Sequence, residues 1–169
     1  MKHLFILRHA QTLPSDSGGD IARKLTPEGK KDAQALGKFM AQKNYRPDII
    51  LCSPATRTRE TLAGVLESLG EIPTEYLREI YNGSAGDVLR LIRQQNDKNE
   101  KILVVAHNPG VYELTARLAG SGTPSLLNRL SHGYSPGTLS VLSCPCESWN
   151  DLAPGENTLG GFYEPGNYD

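Results

Sequence analysis

Four short apolar runs punctuate the chain: Leu4–Leu7, Asp48–Cys52, Lys101–Ala106 and Thr138–Ser143. In the first three the apolarity is continuous rather than alternating, the pattern of strands covered on both faces in a parallel sheet. The fourth alternates more and reads as an edge strand. Helical stretches with legible beginnings separate the runs. Thr26-Pro27 is an N-cap followed by proline at the first helical position, and Ala33, Leu36, Phe39 and Met40 form a buried stripe behind it. Ser53-Pro54 gives the same signal ahead of Leu62, Val65, Leu66 and Leu69, with Gly70 as the stop. Ser84 and Asp87 are spaced as a capping box before Val88, Leu89, Leu91 and Ile92. Asn108-Pro109 opens a further helix, with Val111, Leu114 and Leu118 inward and Gly120 as its stop. This alternation predicts an α/β three-layer sandwich with a mostly parallel sheet. Residues 13–21, with two glycines and two serines, read as a surface loop. Residues 144–169, where proline and glycine recur, read as an irregular tail packed on the body.

Length and composition narrow the class. At roughly 150 residues per domain, 169 residues predict a single domain over 1–169. Eighteen Lys plus Arg against nineteen Asp plus Glu give a net charge of −1, so no basic field is available for nucleic acid or an anionic membrane. Three cysteines, Cys52, Cys144 and Cys146, are an odd count and argue against a secreted disulfide framework. The N-terminal apolar run is too short for the core of a signal peptide, and no stretch approaches the roughly 20 residues that span a bilayer. A cytoplasmic location is the expectation.

The chemistry lies just beyond the strands. The first run ends in Arg8-His9-Ala10, the second runs into Ser53-Pro54-Ala55-Thr56-Arg57, and the third ends in His107-Asn108-Pro109. In an open parallel sheet the ligand site lies beyond the carboxyl ends of the strands. Two arginines and two histidines are therefore delivered to one edge, beside helix starts that offer free amides and positive dipole ends. That is the outline of a phosphoryl site. Arg57, about one turn into its helix, faces the site, whereas Arg59 points to solvent. A lone histidine at a strand end is more often a satisfied polar group, and His3 and His132 stay in that class. A metal centre is the rival use of paired histidines, but no His-x-x-x-His or Cys-x-x-Cys spacing supports one. The nearest carboxylates in sequence, Asp16, Asp20 and Glu60, are not expected to pair with these cations. Cys52 lacks the arginine spacing of a cysteine phosphatase, since Thr58 stands six residues on.

The same residues resemble a known family. Leu7-Arg8-His9-Ala10, Ser53 to Thr61 and Val105-Ala106-His107-Asn108-Pro109 are similar to three motifs of the histidine phosphatase superfamily. Leu25-Thr26-Pro27-Glu28-Gly29 with Ala33, and Trp149 to Gly155, resemble its SixA-type phosphohistidine phosphatases. The resemblance implies a phosphoglycerate mutase-like fold and a phosphatase without cofactor or metal. His9 would be the nucleophile forming a phosphohistidine intermediate, with Arg8, Arg57 and a cationic His107 holding the phosphoryl oxygens and Asn108 beside them. Clustered cations would keep His9 neutral. Glu79, in Leu77-Arg78-Glu79, is the candidate general acid, although an exposed carboxylate paired with Arg78 or a lysine is an equally good reading. The implied substrate is phosphohistidine in a partner protein. A small phosphate ester is the alternative, and a non-catalytic phosphate-binding module the third reading.

Overall fold

The computed structural model describes residues 1–168. In chain order the elements are β1 (Lys2–Arg8), α1 (Pro27–Gln42), β2 (Ile49–Cys52), α2 (Thr56–Leu69), β3 (Thr74–Tyr76), α3 (Arg78–Asn82) and α4 (Ala85–Arg93). There follow β4 (Lys101–Ala106), α5 (Gly110–Leu118), β5 (Ala119–Gly122), α6 (Pro124–Ser131), β6 (Leu139–Cys144) and β7 (Asn157–Tyr163). Among the described residues the strands form one seven-stranded sheet in the order β3-β2-β4-β1-β6-β7-β5. The pairs β1–β4, β2–β4, β2–β3 and β5–β7 are parallel, and β6 runs against both of its neighbours. The mostly parallel α/β sandwich read from the hydrophobic pattern is the fold observed.

Successive strand side chains point to opposite faces, which divides the core in two. On one face Leu4, Ile6, Leu51, Ile102 and Val104 pack with Leu89 and Ile92 of α4, Val111 and Leu114 of α5, and Trp149. On the other Phe5, Leu7, Ile50, Leu103 and Val105 pack with Leu36 and Met40 of α1 and Leu62 and Val65 of α2. Helices α1 and α2 approach closely because glycine stands where they cross. A Cβ on Gly37 would lie 2.5 Å from the Val65 carbonyl oxygen, and one on Gly64 would lie 2.7 Å from the Ala33 Cβ. The caps at the start of α1 and α4 are as expected: Thr26 accepts from the Gly29 amide, and Ser84 with Asp87 closes a capping box.

Several expectations need correction. Strand β6 is not an edge, since β1 and β7 flank it. Its alternating serine misleads because Ser140 is fully buried and satisfied by the hydroxyls of Tyr134 (2.7 Å) and Thr115 (3.3 Å). The stretch 144–169 is not irregular throughout, because β7 completes the sheet beside β6. Gly120 does not merely stop a helix but lies within β5, and α6 comes after it. Helix α2 begins at Thr56, two residues beyond Pro54, which frees the Ser53 side chain from capping duty.

Candidate active site

Strand register brings the site together. Arg8 lies opposite Ala106 across β1–β4, and Cys52 opposite Val105 across β2–β4. The next residues along each chain segment, His9, Ser53 and His107, therefore leave the sheet at one edge. The His9 amide donates to the Ala106 carbonyl (3.1 Å) and the Ser53 amide to that of Val105 (3.0 Å). The His9 and His107 rings sit 5.5 Å apart between centroids. A further stitch ties β1 to α2: the Ala10 amide donates to Thr61 Oγ1 (3.0 Å), whose hydroxyl donates to the Arg57 carbonyl (2.7 Å).

The polar contacts fix orientation. His9 Nδ1 lies 2.8 Å from the Ala10 carbonyl, which only accepts. Nδ1 therefore carries the proton, and Nε2 keeps its lone pair. Arg8 Nη1 donates to the Tyr134 carbonyl (2.8 Å). Arg57, buried on the first turn of α2, donates from Nη1 to the Asp20 carbonyl (2.8 Å) and from Nη2 to Asp20 Oδ2 (3.1 Å). His107 Nε2 meets the Ser53 hydroxyl at 2.7 Å. Arg8 Nε, Arg57 Nε and His107 Nδ1 are buried and have no hydrogen-bond partner among the described residues. Three orphaned nitrogens at one edge are what an anion with several acceptor oxygens would satisfy.

Burial is the main cause of the site's altered basicity. It pushes His9 down to about 4, aided by the charges of Arg8, Arg57 and Arg23 and opposed by the bond to Ala10. His107 is pushed down to about 3, first by burial and then by Arg57 and His9. Both rings are neutral at neutral pH. His9 is neutral as expected, with burial outweighing the like charges; the cationic His107 is not found in the free site. Burial also raises the Cys52 thiol to about 12, which leaves it inert.

These shifts have a measurable sign. An unfolded histidine titrates near about 6.5, so the unfolded chain binds protons that the folded rings refuse, from about 6.5 down to about 4 for His9 and to about 3 for His107. The stabilisation from keeping these rings neutral is complete above that window and lost as pH falls through it. Urea midpoints should decline from neutral to acid pH, and the decline should shrink in His9→Gln. An NMR titration placing both rings near the ordinary histidine value would contradict this.

The other expected site residues fare differently. The Asn108 side-chain amide donates to the Tyr134 carbonyl (3.1 Å), the acceptor Arg8 also uses. Glu79, on α3, is exposed, with no side-chain hydrogen bond or ion pair among the described residues. It is Tyr81 that reaches the site from α3, its ring edge-on to His107 with centroids 5.6 Å apart. The Tyr81 hydroxyl donates to Asp20 Oδ2 (2.7 Å), and that carboxylate also pairs with Arg57, so Asp20 does meet a site cation, contrary to expectation. Arg59 is exposed, stacked 3.9 Å over Tyr76, and exposed His132 meets the Asn128 carbonyl. No cluster of three or more His, Cys, Asp or Glu is placed to hold a metal, and no helix is long and apolar enough to cross a membrane, both among the described residues. Beside His107 and Tyr81 a pocket of about 140 Å³ has Val88, Ala106, Val111 and Leu114 in its wall.

The family model for the histidine phosphatase superfamily (branch 1) matches residues 4–88. An uncharacterized protein of Mycobacterium tuberculosis is 32% identical over 163 residues, covering 94% of this chain and 99% of that one. The phosphohistidine phosphatase SixA of Escherichia coli is 28% identical over 127 residues, 73% of this chain and 78% of that one. A crystal structure assigned to SixA from Agrobacterium tumefaciens superposes with a TM-score of 0.83 at 27% identity, covering 97% of this chain and 98% of that chain.

Proposed function

Because the chain belongs to the histidine phosphatase superfamily, branch 1, and is a phosphatase of the SixA-like kind, we propose that it removes the phosphoryl group from phosphohistidine in a cytoplasmic partner protein, through a covalent intermediate on His9. One observation carries the reading. Arg8 Nε, Arg57 Nε and His107 Nδ1 lie buried and unpartnered around a histidine whose tautomer leaves Nε2 free to attack.

In the first step the His9 Nε2 lone pair forms a bond to phosphorus while the bond to the substrate nitrogen breaks in line. The electron pair stays with that nitrogen. A phosphohistidine already protonated on its other nitrogen departs as neutral imidazole. Water then attacks phosphorus in line as the phosphorus–Nε2 bond breaks; the electron pair returns to Nε2, and the protons of the water leave with the inorganic phosphate. The two guanidiniums and His107 Nδ1 hold the equatorial oxygens through both steps.

The carboxylates around the site favour phosphohistidine over an ester. An alkoxide needs a proton delivered as it leaves, whereas neutral imidazole does not. Asp20 is held below the usual carboxylate range by the hydrogen bond from Tyr81 and by Arg57, so it stays ionised and is a poor acid. Glu79 is exposed and holds no contact with the site's polar groups. Cytoplasmic action accords with three free cysteines.

A phosphohistidine-bearing domain should be dephosphorylated much faster than an alkyl monophosphate, with an aryl monophosphate between them. Glu79→Gln should leave the phosphohistidine rate unchanged. Fast alkyl ester turnover that collapses in Glu79→Gln would instead establish the small-ester reading. Vanadate binding without turnover of any phosphorylated substrate would establish a binding module.

A further inference from the structure

We infer that Asp20 is a positioning residue: by fastening both terminal nitrogens of Arg57 it fixes the direction in which the guanidinium offers its remaining donors to the phosphoryl group, and Tyr81 holds its carboxylate for that task. The inference rests on the reading of Arg57 as a phosphoryl ligand.

A guanidinium at the end of four rotatable bonds has no fixed direction of its own. Here Asp20 supplies it from two atoms of one residue. Its carbonyl takes Nη1 at 2.8 Å and its carboxylate takes Nη2 at 3.1 Å. Each terminal nitrogen keeps one further N–H, and Nε, which has no partner among the described residues, keeps its own, so the clamp sets the direction of three free donors. The Tyr81 hydroxyl, at 2.7 Å, then fixes Oδ2, the oxygen that Arg57 uses. Oδ1 lies 3.5 Å from Arg23 Nη1, so the carboxylate is held from both sides. Arg23 is anchored in turn by Thr12 Oγ1 (2.6 Å) and the Leu13 carbonyl (3.0 Å), which ties the segment carrying Asp20 back to the chain beyond His9.

Arg8 is arranged the same way with a different clamp. Its Nη1 is taken by the Tyr134 carbonyl and its Nε is left buried and unpartnered. The two arginines are thus each fastened from behind. Arg8 is held by backbone alone, which a side-chain substitution at Tyr134 does not delete, whereas Arg57 is held half by the Asp20 carbonyl and half by its exposed carboxylate, the half that a substitution removes.

A double-mutant cycle read by kcat, KM and vanadate affinity tests the assignment. Asp20→Ala should lower kcat about tenfold or more, as misplaced groups do, and Asp20→Asn, which keeps one acceptor for Arg57, should recover much of that loss. Tyr81→Phe should lower kcat by a smaller factor in the same direction. In an Arg57→Ala background Asp20→Ala should cost nothing further, because the group it orients is gone. An equal loss from Asp20→Ala with and without Arg57 would overturn the inference, as would unchanged kcat in Asp20→Ala beside a severely impaired Arg57→Ala. If Arg57→Ala itself leaves kcat and vanadate affinity unchanged, the failure belongs to the reading of Arg57 as a phosphoryl ligand. Circular dichroism and melting of each variant separate loss of fold from loss of position.

Discussion

His9→Ala should abolish turnover and with it the covalent label. Rapid quench of the wild type with radiolabelled phosphohistidine domain should trap protein-bound phosphate that is acid-labile and base-stable, as a phosphoramidate is. Geometry sets this outcome before kinetics does. The Ala10 carbonyl fixes the proton on Nδ1, so Nε2 is a lone pair that need not be unmasked by a base. Burial holds the ring near 4, so it is fully neutral at neutral pH. A ring that is both oriented and unprotonated is lost entirely on truncation, and no neighbour replaces it: His107 Nε2 is engaged by Ser53, and Cys52 is a buried thiol raised to about 12. His9→Gln should behave like His9→Ala, since it restores polarity without a nucleophile. Label persisting in either variant would move the nucleophile elsewhere.

Arg8→Ala and Arg57→Ala should each lower kcat about a hundredfold or more, the scale of losing one preorganised donor to a developing charge. The loss should fall on kcat more than on KM, because the charge these donors meet grows in the transition state. Arg57→Lys should rescue little. An ammonium is a point charge and cannot bind the carbonyl and carboxylate of Asp20 while offering a third donor from a fixed edge. Removing either arginine also takes away a charge that disfavours protonation of His9, so its titration should move up toward the ordinary value. An NMR titration of the His9 ring in each variant reads that shift. Recovery of full activity in Arg57→Lys would show that charge alone, without direction, is enough.

Range along the chain separates the features legible in the sequence from the hidden ones. The strand ends carrying Arg8, His9, Arg57 and His107 are legible because continuous apolar runs mark strands buried on both faces, and parallel strands put their carboxyl ends at one edge. Asp20 and Tyr81 are not. Asp20 sits in a loop of glycines and serines with no period to locate it, and its contact with Arg57 spans 37 positions. Ser53 reads as a helix cap, the commoner use of serine before proline, but its hydroxyl goes to His107. In the sheet, β3 is three half-buried or exposed residues and β5 is Ala-Gly-Ser-Gly, so neither carries a hydrophobic signature. In β7 the alternation breaks at Gly161 and Phe162, both buried, near a shift in register against β6 that erases the period-two pattern.

The clamp on Arg8 has a consequence for synthesis. Strand β1 leaves the ribosome well before its sheet neighbours β4, beginning at Lys101, and β6, beginning at Leu139. The carbonyl that fastens Arg8 lies 126 positions further on, at Tyr134, whose hydroxyl is itself held by the Ile6 carbonyl and Ser140. The Arg8-His9 signature is thus translated long before the residues that give it shape. A nascent chain halted ahead of Tyr134 holds His9 and both arginines but lacks the carbonyl that fastens Arg8, so the geometry of the site is completed only when the later polypeptide arrives.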